Sequence, residues 1–407
     1  MITRRHRSTQ LRTLAHAAVL LLTGTLGTAG AATAQDDTRF PRALPEAVGM
    51  SRPMLRAAVD TVQQWVDQGR VIGAVMLVIR DGKTVLHEAV GWSDRERRTP
   101  MRPDQIVSMR SMTKPLVGTA ALILREEEKL QLEDRVAQYL PSFNNPKSRE
   151  ITLFQLLTHT SGIKGEIYTA TGGTTYRTLR EAVDAVGARG PEFPPGTDYF
   201  YSDPGTSTLG AVIAQRSDMP AEEFIRTRIL VPLGMKDSFL VDDPTNPLRA
   251  RVASAYRRQD STWVKYWDNT MLPVVPFFRA SGGLYSTAYD YARFMAAMLN
   301  GGELAGTRLL TGASVQLATQ PHAARAFSPE RRATMNRFYG LHWMVYTDKY
   351  RPIEPPFSAG VFDHAGSDGT LALADPQRDL IIIYLTQSRG TNTARSFARL
   401  VYGALLK

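Results

Sequence analysis

Apolar residues recur at helical spacing over residues 54–68, and the unbroken apolar run 71–79 that follows reads as a buried strand. Asp81-Gly82 is a two-residue hairpin turn, and residues 84–91 return as the second strand. The same grammar recurs near the C-terminus. There, 339–346, 369–374 and 380–385 read as strands, with a turn at Asp375-Pro376-Gln377-Arg378-Asp379, and a helix over about 392–406 closes the chain. Between the two ends, 207–215 and 221–229 are helical in pattern, punctuated by Pro194-Pro195-Gly196 and Pro232-Leu233-Gly234. The basic stretch 325–337 reads as an exposed loop. Strands at both ends of a mostly helical middle predict an α/β protein of α+β type. Its antiparallel sheet is built from the N- and C-terminal segments and flanked by helices, with a mostly helical region of about 131–273 inserted.

The first 34 residues follow another rule. Arg4, Arg5, Arg7 and Arg12 precede an apolar run rich in small residues, closed by Ala32-Thr33-Ala34, as in a secretory signal peptide with an A-x-A cleavage site. The competing reading, a membrane anchor, is disfavoured because Thr and Gly interrupt a run that is short for a span. Residues 35–407 are then the functional domain, periplasmic or secreted, with no stable membrane span after cleavage. Arg4-Arg5 fits a twin-arginine export route in part. Removing residues 1–34 takes away four arginines and no acids, so the formal charge falls from +10 to +6.

That modest excess is scattered and lacks interleaved aromatics, which argues against nucleic acid as a partner. With 407 residues and no cysteine, an exported chain must rely on a large core rather than disulfides. The seven histidines contain no H-E-x-x-H pair, so no metal and no cofactor are inferred. A monomer is the default expectation.

Chemistry concentrates in Ser111-Met112-Thr113-Lys114. At the start of a helix this spacing puts the alcohol and the amine on one face, within hydrogen-bonding reach. A serine hydroxyl becomes a useful nucleophile only when a neighbour takes its proton or a cation lowers the cost of losing it. Two further segments carry reactive groups near glycines and prolines: Tyr201-Ser202-Asp203 after a Gly/Pro-rich loop, and His364-Ala365-Gly366 at a strand edge.

Together, S-x-x-K, Y-S-D and H-A-G resemble the three active-site motifs of the serine β-lactamase and penicillin-binding-protein superfamily. The tyrosine of the second motif points to the branch holding class C β-lactamases, related DD-peptidases and family VIII carboxylesterases. Segments 156–163, 195–197, 232–235 and 281–287 resemble that family in the expected order, over about residues 45–406. The resemblance implies a β-lactamase/DD-peptidase-like fold in which Ser111 is acylated and Lys114 and Tyr201 handle the proton. An ammonium beside a tyrosine favours the phenolate, so a protonated Lys114 would make Tyr201 the general base. The N–H groups of Ser111 and Ser367 would form the oxyanion hole, and Asp203, His364 and Gly366 would contact substrate. His159 and the Ser281-Gly282-Gly283 turn are expected to be loop and cap elements rather than chemical groups.

Two departures set the expected activity. The family's third motif commonly begins with lysine, a permanent charge for a substrate carboxylate, whereas His364 is charged only when protonated. Its second motif commonly ends in asparagine, which donates through its amide, whereas ionised Asp203 only accepts. Asp203 is free instead to pair with Lys114. Both departures favour a carboxylesterase acting on short-chain acyl esters. Alternatives are a class C-like β-lactamase or D-alanyl-D-alanine peptidase, an acyltransferase, and, from another class, a non-catalytic binding module. The substrate is then a small ester or amide. Tyr168, Tyr176, Trp263, Tyr266 and Trp267 either line an apolar pocket or serve as ordinary packing.

Overall fold

Asp81 and Gly82 have φ of 49° and 67°, the left-handed pair that a two-residue hairpin turn requires, so Gly73–Arg80 folds antiparallel onto Lys83–Asp94. On its other edge Gly73–Arg80 pairs with Leu380–Thr386, in register from Ala74 opposite Thr386 to Arg80 opposite Leu380. The N- and C-terminal segments thus build one sheet, as the hydrophobic pattern predicts. The computed structural model describes residues 38–168, 173–273, 275–354 and 356–406, and the segment read as an export signal lies outside them. Across the eight-stranded sheet the order is Arg337–Tyr339, Met344–Tyr346, Phe362–Ala365, Leu371–Asp375, Leu380–Thr386, Gly73–Arg80, Lys83–Asp94 and Thr99–Pro100. Every pairing in it is antiparallel.

Both faces of the central strands are covered, which is why 71–79 reads as an unbroken apolar run rather than an alternating one. Val75, Leu77 and Ile79 enter the larger core, with the helices Lys114–Glu126 and Ala288–Leu299. Ala74, Met76 and Val78 alternate onto the opposite face, where Arg52–Asp67 and Thr393–Gly403 pack. The helix Lys114–Glu126 is buried along almost its whole length, so the element that carries the reactive residues is held from every side.

Three sequence expectations are corrected. Residues 339–346 are not one strand: Arg337–Tyr339 and Met344–Tyr346 form a hairpin turning through His342, whose φ is 60°. The turn, Gly340-Leu341-His342-Trp343, is buried and offers Gly340 as its sole punctuation. The helical character of 131–273 ends early, because Ala255–Gln259 and Thr262–Trp267 form a hairpin that continues to Ser388–Arg389 in a separate three-stranded sheet. Finally, the stretch 325–337 holds a short helix, Pro329–Ala333. It ends on Arg337, whose guanidinium binds both oxygens of buried Asp363 at 2.9 Å.

No helix among the described residues is long and apolar enough to cross a membrane.

Candidate active site

Ser111 lies in the 3-10 turn Arg110–Thr113, which runs directly into the helix Lys114–Glu126. The residue before it, Arg110, has φ 50°, an uncommon conformation for a non-glycine residue. The Arg110 side chain shows what holds it there: Nε donates to buried Asp368 at 2.6 Å and Nη2 to the Tyr266 hydroxyl at 2.8 Å. Thr113 closes the turn on its other side, donating to the Arg110 carbonyl at 2.7 Å and accepting from the Leu284 N–H at 3.0 Å. Ser111 itself is half-buried.

Lys114 is fully buried, and its ammonium makes three contacts: Asp203 Oδ1 at 2.6 Å, the Ser281 carbonyl at 3.0 Å and Ser111 Oγ at 3.4 Å. The Tyr201 ring lies over the same ammonium, its centroid 4.5 Å from Nζ. Burial alone would lower the Lys114 pKa, but the neighbouring Tyr201 and Asp203 outweigh it and raise the value, so the group stays an ammonium. Burial likewise pushes the Asp203 carboxyl upward, and Lys114 with Arg279, 3.7 Å away, brings it below the ordinary range. Asp203 also opens the helix Asp203–Ser217, the end at which negative charge is favoured. One cation thus gathers the Ser111 hydroxyl, the phenol ring and the carboxylate.

Tyr201 is positioned from outside its own loop. The segment 159–162 acts as a template along which residues 192–202 are bound. The Gly162 carbonyl accepts from Glu192 N–H at 2.9 Å, the Thr160 carbonyl from Gly196 at 2.7 Å and the His159 carbonyl from Phe200 at 2.9 Å. His159 Nδ1 accepts from Ser202 N–H at 3.1 Å. A Cβ on Gly162, at φ 77°, would lie 2.3 Å from the Phe193 carbonyl oxygen, so the loop approaches as closely as only glycine allows.

The third motif comes from the strand Phe362–Ala365. A Cβ on Gly366 would lie 2.5 Å from the Met109 carbonyl oxygen and 2.3 Å from Thr370 Oγ1. Gly366 therefore lets this strand end press against the backbone just before Ser111. Ser367 follows it and is flanked on its far side by Asp368, the partner of Arg110. His364 is buried, with both ring nitrogens engaged. Nδ1 faces the Ala365 carbonyl at 2.9 Å, an acceptor, so it carries the proton; Nε2 then accepts from the Tyr339 hydroxyl at 3.3 Å. Burial, reinforced by the Lys114 charge, pushes the His364 pKa down to about 3. In this arrangement the His364 side chain offers neither a charge nor a free donor.

A cavity of about 90 Å³, partly open to solvent, adjoins Arg110 and the Gly282-Gly283 turn. Leu240, Trp267, Val275 and Phe277 give it an apolar lining, and Arg279 stands at its wall. Of the five aromatics singled out from sequence, Tyr266 and Trp267 line this cavity. Tyr168 is buried beneath Arg279, 4.2 Å from ring centroid to guanidinium carbon. Trp263 packs elsewhere, donating to the Gly69 carbonyl, and Tyr176 packs against the main core.

Sequence reading missed three contributors: the Ser281 carbonyl on Lys114, the Arg110–Asp368 ion pair and Tyr339. The first lay inside a recognised motif but was read as a cap. The other two join residues 258 and 25 apart, and only the fold brings them together. Among the described residues no group of three or more His, Cys, Asp or Glu side chains is arranged to hold a metal ion.

The family model for Beta-lactamase matches residues 58–406. Protein Rv1367c of Mycobacterium tuberculosis is 31% identical over 363 residues, covering 80% of this chain and 88% of that protein. Esterase EstB of Burkholderia gladioli is 28% identical over 286 residues, covering 62% of this chain and 72% of that protein. Among solved structures, EstCE1, described as a hydrolase with promiscuous acyltransferase activity, superposes with a TM-score of 0.74 at 22% identity, over 87% of this chain and 99% of its own. That likeness is one of fold.

Proposed function

The chain belongs to the beta-lactamase family and is a serine hydrolase, and from that premise we propose that it is an exported carboxylesterase that cleaves short-chain acyl esters through a Ser111 acyl-enzyme. Tyr201 takes the Ser111 proton as the hydroxyl attacks the ester carbonyl, and returns it to the departing alcohol. Lys114, kept charged by Asp203, stabilises Tyr201 as the phenolate that accepts this proton, and the negative charge passes through Ser111 Oγ to the carbonyl oxygen. The N–H groups of Ser111 and Ser367 stabilise the tetrahedral oxyanion. Water then repeats the sequence on the acyl-enzyme, with Tyr201 activating it.

The observation that carries the ester reading is the engaged, neutral His364. A β-lactam or a D-alanyl peptide brings a carboxylate that a cation at the third motif would hold, whereas a simple ester brings none. The apolar cavity beside the turn after Ser281 suits a short acyl chain, and a relative of this chain is named an esterase. Assay of the purified protein on p-nitrophenyl acetate and butyrate, nitrocefin and a D-alanyl-D-alanine peptide tests the reading. Faster ester cleavage supports it, and faster nitrocefin opening would replace it with a β-lactamase.

A further inference from the structure

Two buried imidazoles stack against each other beside Lys114 and Tyr201. The rings of His159 and His342 have centroids 5.2 Å apart and planes inclined by 29°, and neither is exposed by more than 1%. Their hydrogen bonds fix their tautomers. His159 Nδ1 faces the N–H of Ser202, which only donates, so Nδ1 is unprotonated and the proton sits on Nε2. His342 Nδ1 faces the carbonyl of Lys114 at 3.0 Å, which only accepts, so there Nδ1 carries the proton. One imidazole therefore holds the peptide next to Tyr201, the other holds the peptide of Lys114, and the two press face to face.

His159 does more than fill this space. Its ring centroid lies 4.6 Å from that of Tyr201, and it meets Tyr339 edge-on at 4.8 Å. Its Nε2 has no hydrogen-bond partner among the described residues, so the Ser202 contact is the single polar duty of the side chain. The backbone there is left-handed, φ 59°, and its carbonyl accepts from Phe200. Residue 159 thus grips the chain on both sides of Tyr201. Burial, with His342 and the Lys114 ammonium close by, lowers the His159 pKa well below its ordinary value, which preserves the Nδ1 lone pair as an acceptor.

We infer that His159 is a positioning residue of the reaction: its Nδ1 lone pair holds the Ser202 amide and so sets the Tyr201 ring against the Lys114 ammonium. The inference rests on Tyr201 acting as the base proposed above.

Two variants split the side chain into its parts. His159→Asn keeps a short acceptor and suits the left-handed backbone, whereas His159→Phe keeps a ring and removes the acceptor. The asparagine variant should retain kcat within about fivefold. The phenylalanine variant should lose about 100-fold in kcat with KM little changed, the scale of an ångström-sized misplacement of a catalytic group. Equal losses in the two variants, or a folded His159→Phe protein with full kcat, would overturn the inference. Should His159→Phe not fold, ¹⁵N-histidine NMR of the unaltered protein decides: an unprotonated Nδ1 and protonated Nε2 at neutral pH support it, and the reverse tautomer refutes it. Tyr201→Phe is assayed alongside. Full activity there would defeat the base assignment, whereas loss there combined with full activity in His159→Phe would defeat only the positioning role.

Discussion

Lys114 and Asp203 form an ion pair at 2.6 Å in which the cation is wholly buried and the anion keeps 29% of its side chain exposed. The asymmetry matters because Lys114 has nowhere to take its charge except to its partners. Asp203→Asn removes the carboxylate that helps raise the Lys114 pKa against burial, so the ammonium should lose its proton at lower pH. The alkaline limb of the kcat/KM profile is expected to move to lower pH, with a fall in kcat. An unmoved limb would show that the Lys114 charge does not govern turnover.

Stability should depend on acid in a way set by histidines. Burial, with the Lys114 charge, pushes His342 and His364 down to about 3, and His159 lies well below its ordinary value. Unfolding restores each to about 6.5. Below that pH the unfolded chain binds more protons than the native one, so stability falls as pH falls, by up to ~1.4 kcal/mol per pH unit for each histidine. Urea midpoints should therefore hold from pH 8 to 7 and decline steadily from about pH 6.5 toward 5. A flat profile down to pH 5 would mean that these imidazoles protonate in the native state.

Gly366→Ala tests the fit of the third motif against the serine turn. The added methyl meets the Met109 carbonyl and Thr370 Oγ1 at distances no Cβ occupies, so Ser367 must move. Because Ser367 is assigned to the oxyanion hole, kcat should fall by about 10²–10³, with KM changing far less. Wild-type kcat in this variant would remove Ser367 from the mechanism.

What the sequence reveals about this site divides along the reach of each interaction. Ser111 and Lys114 are one helical turn apart, and Asp81-Gly82 is a complete turn signal in two residues, so local spacing suffices for both. The central strands are legible because burial on both faces leaves an unbroken apolar run. The hairpin Ala255–Gln259 with Thr262–Trp267 escapes because Arg257, Arg258 and Gln259 are exposed and its turn, at Asp260 with φ 54°, contains no glycine. The neutral state of His364 is not local either, since Tyr339 and the buried surroundings that set it come from other strands.

The cavity predicts chain-length selectivity. Val275 lines it and is only partly buried, so Val275→Phe should fill space there. Butyrate esters should lose relative to acetate by about tenfold in kcat/KM, the scale of one or two methylenes in an apolar pocket. An unchanged ratio would place the acyl chain elsewhere.

The central claim is that the Ser111 hydroxyl becomes acylated during turnover, and intact-protein mass spectrometry after rapid quenching with a slowly hydrolysed ester tests it most directly. The mechanism predicts a single acyl adduct that maps to the peptide bearing Ser111, decays as product forms, and is absent in Ser111→Ala. An adduct that survives in Ser111→Ala, or steady turnover by that variant, would contradict it.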